Sequence, residues 1–173
     1  GWTMYDWANS VYSLTITSAV FPVFYAAITI DGDLDKVMDR YGLPAMSLYS
    51  YVISASFLLI ALVAPILSGI ADHTGQKKKF LKAFCYLGAL SCAGLFFFDV
   101  DHLWLGLMFA MLASIGYSGS LIFYDAFLPE IAEPKDHDRI SARGYMMGYI
   151  GSVFLLILNL AMVMSPESFG IPD

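Results

Sequence analysis

The stretch from Ser68 to Phe80, SGIADHTGQKKKF, sets an aspartate, a glycine and three consecutive lysines into sequence that is otherwise overwhelmingly apolar. Two more aspartates, Asp6 in YDWANS and Asp125 in YDAFLPEIA, adjoin long apolar runs. Carboxylates at the edge of such runs are costly and are usually paired. Three chemistries fit the residue types: an ion-pair gate between carboxylates and lysines, proton carriage on a carboxylate, and water activation by two carboxylates sharing a proton. Helix dipoles separate the three acids. Asp6 precedes its run, where a helix N-terminus favours negative charge. Asp72 and Asp125 fall near C-terminal ends, where it is disfavoured, so these two call for cationic partners.

The elements that must hold these residues follow from composition. Of 173 residues, 58% are hydrophobic and 14% charged, against roughly 25% charged in ordinary soluble domains. Residues 7–30, 41–71, 83–98, 102–124 and 144–166 contain no Asp, Glu, Lys or Arg. A membrane-crossing helix needs about 20 mostly apolar residues. The third run is short, but Lys79 and Lys82 can extend it by reaching toward the headgroups. The sequence therefore predicts five transmembrane helices, at about 8–29, 47–71, 80–98, 103–127 and 143–165, in an all-α membrane protein. The first span has no basic segment before it and carries recurring polar residues, unlike a cleaved signal peptide. Cys85 and Cys92 are two helical turns apart, roughly 10 Å, too far for a disulfide. A net charge of −6 is no nucleic-acid signature.

Basic residues sort the ends of the spans. Lys77, Lys78, Lys79, Lys82, Lys135, Arg139 and Arg143 fall on one side, Lys36 and Arg40 on the other. Short cytoplasmic loops collect Lys and Arg. The lysine run and the N-terminus are therefore expected inside, and the C-terminus outside. Trp2, Trp7 and Trp104 lie near span ends, as interfacial anchors should.

Polar and small residues recur at helical spacing. The first span carries Asp6, Ser10, Ser13 and Thr17, with Asn9 alongside. The second carries Ser47, Ser50, Ser54, Pro65, Ser68 and Asp72. The fourth carries Ser114, Ser118 and Asp125, with Tyr117 and Tyr124 adjacent, and the fifth Gly144, Gly148, Ser152 and Asn159. The third offers mainly Gly88 and Cys92. Such stripes are either packing faces between helices or the lining of a shared aqueous cavity. Pro22 and Pro65 would break backbone hydrogen bonds within their helices. His73, His102 and His137 are expected in loops without metal-ligand spacing. Gly116 and Gly119 lie within a span, not in a phosphate-cradling loop. No metal, cofactor or catalytic residue is assigned.

The loop sequence GIADHTGQKKKF resembles the signature between the second and third helices of the major facilitator superfamily, with Gly69, Asp72, Gly75, Lys77 and Lys78 on the pattern. YDWANSVYSLTITSAVFPVFY, YDAFLPEIA and ISARGYMMGYIGS narrow the resemblance to the vacuole effluxer family, which contains autophagy-related vacuolar amino-acid effluxers and bacterial relatives. It covers nearly the whole chain. Asp125 stands where Asn is expected, lysines replace the usual arginine-rich spelling, and Tyr149 stands where proline is common in antiporters.

The resemblance implies the first five helices of the N-terminal six-helix half of a major facilitator fold. It also implies a secondary transporter of small solutes, amino acids at the family level, working by alternating access. Gly69, Asp72, Gly75, Lys77 and Lys78 would form a cytoplasmic charge lock, with Asp125 as a third acid. Substrate-path candidates are Asp6, Asn9, Ser13, Thr17, Ser114, Ser118 and Asn159, with a proton or another ion as a coupling partner. The expected setting is a lipid bilayer: a bacterial inner membrane, or the vacuolar membrane of a eukaryote. A start at Gly1, an odd number of spans and a loop-like end point to a fragment whose C-terminal half is missing. Two other readings compete. A non-transporting receptor or scaffold of the same fold would keep the stripes and dispense with the gate. An intramembrane aspartyl protease would need a glycine-flanked second aspartate, whereas Asp125 follows LIFY.

Overall fold

The computed structural model describes residues 2–32, 34–99 and 101–170, the side chain of Thr15 excepted. Helix α1 runs Thr3–Thr29, followed by a short antiparallel hairpin, β1 (Ile30–Asp31) and β2 (Leu34–Asp35), and a one-and-a-half-turn helix α2 (Lys36–Tyr41). Then come α3 (Ala45–Thr74), α4 (Lys77–Gly94), α5 (Leu103–Asp125), the single turn α6 (Leu128–Ile131) and α7 (His137–Met164). Five helical segments, built on α1, α3, α4, α5 and α7, are long and apolar enough to cross a membrane. Their outward faces carry large exposed apolar side chains, among them Leu62 and Ile66 on α3, Leu90 on α4 and Tyr149 and Val163 on α7. In water such continuous apolar surface would be exceptional; in a bilayer it is the solvated surface. The chain is an all-α membrane protein.

Two compact units make up the chain. The first joins residues 1–23 to 132–173. Here α1 packs on α7 through the glycine face Gly144, Gly148 and Gly151, all buried. An Asp6 carboxylate oxygen occupies the place a Cβ on Gly144 would take, and the Trp7 ring would lie 3.1 Å from one on Gly151. Without side chains on those three residues, the two backbones approach closely. Trp7 thus packs against a neighbouring helix rather than standing free as an anchor. Helix α1 widens into π geometry over Tyr12–Ala19, just before Pro22. Proline removes the N–H that the Ser18 carbonyl would otherwise accept. Within the widened turn the Ser18 hydroxyl donates to the Ser13 carbonyl at 2.8 Å, across an interval of five residues.

The second unit spans residues 24–131 and is centred on α5, which packs on both α3 and α4. Its buried face is mostly small: Gly106, Ala110, Ala113, Ser114, Gly116, Gly119 and Ser120. The crossing with α4 is tightest at Gly116, where an added Cβ would lie 2.6 Å from the Gly88 Cα and 2.9 Å from the Phe84 carbonyl oxygen. Phe80 and Phe84 of α4 stack on Phe123 of α5, with ring centroids 5.3 and 5.8 Å apart. Helix α3 packs through Leu48, Tyr49, Ser56, Ile60 and Ala71. Its expected polar stripe lies off that face: Ser50, Ser54, Pro65 and Asp72 are exposed, and Ser47 and Ser68 half-buried.

Three helix starts depart from the sequence expectation in one consistent way. Helix α1 begins at Thr3, α4 at Lys77 and α7 at His137, rather than near 8, 80 and 143. Lys77–Lys79, Arg139 and Arg143 are therefore helical, and the loop between the second and third spans shrinks to Gly75 and Gln76. His73 lies within α3 and His137 opens α7, so neither is a loop residue. The charge-free runs locate the apolar core of each helix, but the backbone bonds continue past it into the polar turn. Pro65 does not end α3, which continues to Thr74.

Candidate functional site

The lysine turn is built by one glycine. Gly75 has φ +64°, a left-handed conformation that costs little only for residues without a Cβ. Its N–H donates to the Asp72 carbonyl at 3.3 Å, and the Gln76 N–H to the Ala71 carbonyl at 3.1 Å. That pairing satisfies the last carbonyls of α3 and reverses the chain. The Gln76 carbonyl then accepts from Lys79 and Phe80, at 2.8 and 3.3 Å, and starts α4. Nothing lies within 4 Å of a Cβ placed on Gly75, so the requirement there is conformational rather than steric. Gly69 also has open space around it and a negative φ. Neither criterion demands glycine at position 69.

This turn sets Asp72 and Lys77 opposite each other. Lys77 Nζ lies 2.9 Å from Asp72 Oδ1 and 2.7 Å from Oε1 of Glu130 on α6. The lysine side chain is 21% exposed, the two carboxylates 57% and 50%. Each charge stands where its own helix disfavours it: the lysine at the N-terminus of α4, Asp72 in the last turn of α3. Pairing across the turn offsets both penalties. The Phe80–Phe123 stack holds α4 on α5, and the turn after α5, in which the Phe127 carbonyl accepts from Glu130 at 3.0 Å, swings Glu130 within reach.

Of the residues expected in the lock, the structure joins Asp72 and Lys77. Lys78 is exposed and forms no ion pair among the described residues. Asp125 ends α5 with an exposed side chain. Glu130 was not singled out from the sequence. The one signal that could have found it is its position in a short acidic segment on the lysine-rich side, where surplus cations need partners.

The substrate-path candidates divide between the two units. In the first, Asp6 lies against Gly144 and Gly148, while Asn9, Thr17 and Asn159 are half-buried. Ser10 and Ser13 spend their hydroxyl protons on carbonyls of their own helix, Trp7 and Ser10, at 2.9 and 3.1 Å. In the second, Ser118 is half-buried. Ser114 is buried, and its hydroxyl finds no hydrogen-bond partner among the described residues.

The family described as "Vacuole effluxer Atg22 like" matches residues 1–171. A Bacillus subtilis protein named "Uncharacterized MFS-type transporter YxiO" is 39% identical over 171 residues, covering 99% of this chain and 39% of its own. Autophagy-related protein 22 of Pyricularia oryzae is 26% identical over 166 residues, covering 81% of this chain and 24% of its own. The protein of the same name from Coccidioides immitis is also 26% identical, with 75% and 27% covered. The chain thus spans well under half the length of these relatives. No solved structure matches it.

Proposed function

The chain belongs to the vacuole effluxer Atg22-like family, whose relatives include an MFS-type transporter, and from that premise we propose that it forms part of a secondary transporter of small solutes that works by alternating access, with Lys77 as the centre of a cytoplasmic charge gate. The observation that carries the gate is the sharing of one lysine by two carboxylates from two other elements, Asp72 and Glu130, within 2.9 Å. A gate must form and break repeatedly. Solvent-accessible ion pairs suit that because the paired and hydrated states differ little in free energy. The site also lies on the side that carries seven of the nine basic residues, the cytoplasmic side by the positive-inside rule.

Amino acids are the substrate class that the family suggests. Contacts with the substrate are assigned to Asn9, Ser13, Thr17, Ser114, Ser118 and Asn159. Ser114 has the best claim, since a buried hydroxyl without a partner is costly and a polar substrate would satisfy it. Asp6 is the candidate carrier of a coupling proton. Reconstitution of the full-length protein in liposomes, with a panel of amino acids on one side and a pH gradient across the membrane, tests the reading. Substrate flux is expected, reduced by Asp72→Asn. An absence of flux for every member of the panel would overturn the substrate class. Flux unaffected by Asp72→Asn would overturn the gate.

A further inference from the structure

The segment between the first and second spans holds a cavity of about 260 Å³ lined by Lys36, Val37, Asp39, Arg40, Tyr41 and Leu103. Its charged walls all come from α2, where positions 36, 39 and 40 stand three and four residues apart and so share one side of the helix. Among the described residues none of these three charges takes part in an ion pair. The Lys36 ammonium donates a long 3.4 Å hydrogen bond to the Ile28 carbonyl. Val37 is buried beneath, and the Tyr41 ring meets Trp104 edge to face with centroids 5.5 Å apart. Leu34, Met38, Leu43 and Met46 are exposed around the same segment.

The position of the cavity narrows its occupant. It lies just beyond the end of α1 at Thr29, just before α3 at Ala45 and against the first residue of α5, which is headgroup level for three membrane-crossing helices. Exposed apolar side chains and a Tyr–Trp pair fit the acyl boundary there, where amphipathic aromatic rings accumulate. The volume is below the usual range for a drug-sized ligand, and exposed apolar side chains of the same segment accompany it. Two cations and one carboxylate on one side of a short helix match a headgroup that carries a phosphate and a hydrogen-bonding cation together.

The geometry points to a binding site for phosphatidylethanolamine: its phosphate lies between Lys36 and Arg40, and its primary ammonium donates to Asp39. Phosphatidylglycerol supplies the phosphate but no cation for Asp39. Phosphatidylcholine supplies a cation that has no N–H to donate. The site is separate from the lysine turn and independent of the transport reading.

The test is native mass spectrometry of the full-length protein, titrated with phosphatidylethanolamine, phosphatidylglycerol or phosphatidylcholine of identical acyl chains. Wild type should retain phosphatidylethanolamine over the other two by about tenfold. The nearly isosteric Asp39→Asn should abolish that preference while leaving phosphatidylglycerol bound. Lys36→Gln combined with Arg40→Gln should weaken all three lipids. Soluble phosphoethanolamine should fail to displace the bound lipid, because it lacks the acyl chains that the apolar rim contacts. Equal retention of phosphatidylethanolamine by wild type and both variants would overturn the site, as would selection of phosphatidylglycerol over phosphatidylethanolamine. Displacement by soluble phosphoethanolamine would overturn the lipid as its source.

Discussion

At the scale of single residues, Lys77 and its neighbour Lys78 separate two meanings of one charge run. Both fit the loop signature, and the sequence left open which of them meets Asp72. Helix geometry decides: the first residue of α4 faces back across the Gly75 turn, and the second points away. Lys77→Gln should remove the cation from between two carboxylates and leave them facing each other, lowering transport severalfold. Lys78→Gln should stay within about twofold of wild type, as exposed substitutions without a specific partner usually do. Parallel flux measurements in liposomes check the contrast, and equal losses would count against it. The glycine of the turn was legible because a positive φ leaves a sequence trace. Glu130 was not, because its partner lies 53 residues away along the chain and only packing brings them together.

Asp35 is a second residue whose role depends on the fold. Its Oδ1 accepts from the Val37 and Met38 N–H groups, each at 2.9 Å, and its Oδ2 from the Ala45 N–H at 2.8 Å. One carboxylate therefore caps α2 and the start of α3 together. These backbone donors, Ala45 foremost, hold its pKa below the ordinary carboxylate value, against a smaller opposing effect of desolvation. A folded-state pKa lower than the unfolded one stabilises above the unfolded value, about 3.9, and the contribution fades as pH falls through the folded value. Asp35→Asn keeps one acceptor and loses the other, so it should destabilise the protein at neutral pH. The difference from wild type should shrink as pH falls below about 4. Thermal unfolding in detergent across that range measures it; a gap that widens on acidification would contradict the account.

At the scale of elements, the spans were readable and their ends were not. Charge-free runs mark where lipid contacts the helix, and all five appear in the structure. The starts of α1, α4 and α7 slid outward because a helix begins where its backbone bonds begin, and lysines and arginines tolerate helical geometry well. The polar stripes were ambiguous for a physical reason: a small residue serves a close crossing and a cavity lining equally. On α7 the glycine part of the stripe, Gly144 and Gly148, is a crossing filled by Asp6. On α3 it is an open face, with the packed side running through Leu48, Ser56 and Ile60 instead.

The α4–α5 crossing gives an asymmetric test of this packing. A Cβ on Gly116 would come within 2.9 Å of the Phe84 carbonyl oxygen and still closer to the Gly88 backbone, whereas a Cβ on Gly88 would meet Gly116 at 3.6 Å, an ordinary contact. Backbone cannot yield as a side-chain tip can. Gly116→Ala should therefore destabilise by about 1–3 kcal/mol, the usual cost of overpacking. Gly88→Ala should be close to neutral. Melting temperatures of the two variants in one detergent decide it; a reversed order would mean that the crossing is not as close as described.

At the scale of the whole molecule, gating makes a claim about populations rather than contacts. A lock that forms in one state only shifts the balance between states by its differential free energy, and it shifts nothing if it is equally intact in both. If the Lys77 cluster closes the cytoplasmic side, Asp72→Asn removes one of two carboxylates and should tilt the full-length protein toward inward-facing states. Lys77→Gln, which empties the centre, should tilt it further. Glu130→Gln should resemble Asp72→Asn, since both acids lie within 2.9 Å of the same nitrogen. Single cysteines introduced at exposed positions near each end of the spans, labelled with a membrane-impermeant maleimide from either face, report the balance directly. The gate predicts faster labelling from the cytoplasmic face and slower labelling from the opposite face, with the largest change in Lys77→Gln and smaller, similar changes in the two carboxylate variants. Coupled movement in opposite directions is the decisive feature. A general loosening of the bundle would raise labelling from both faces at once, and that result would reduce the cluster to a structural clasp on the turn.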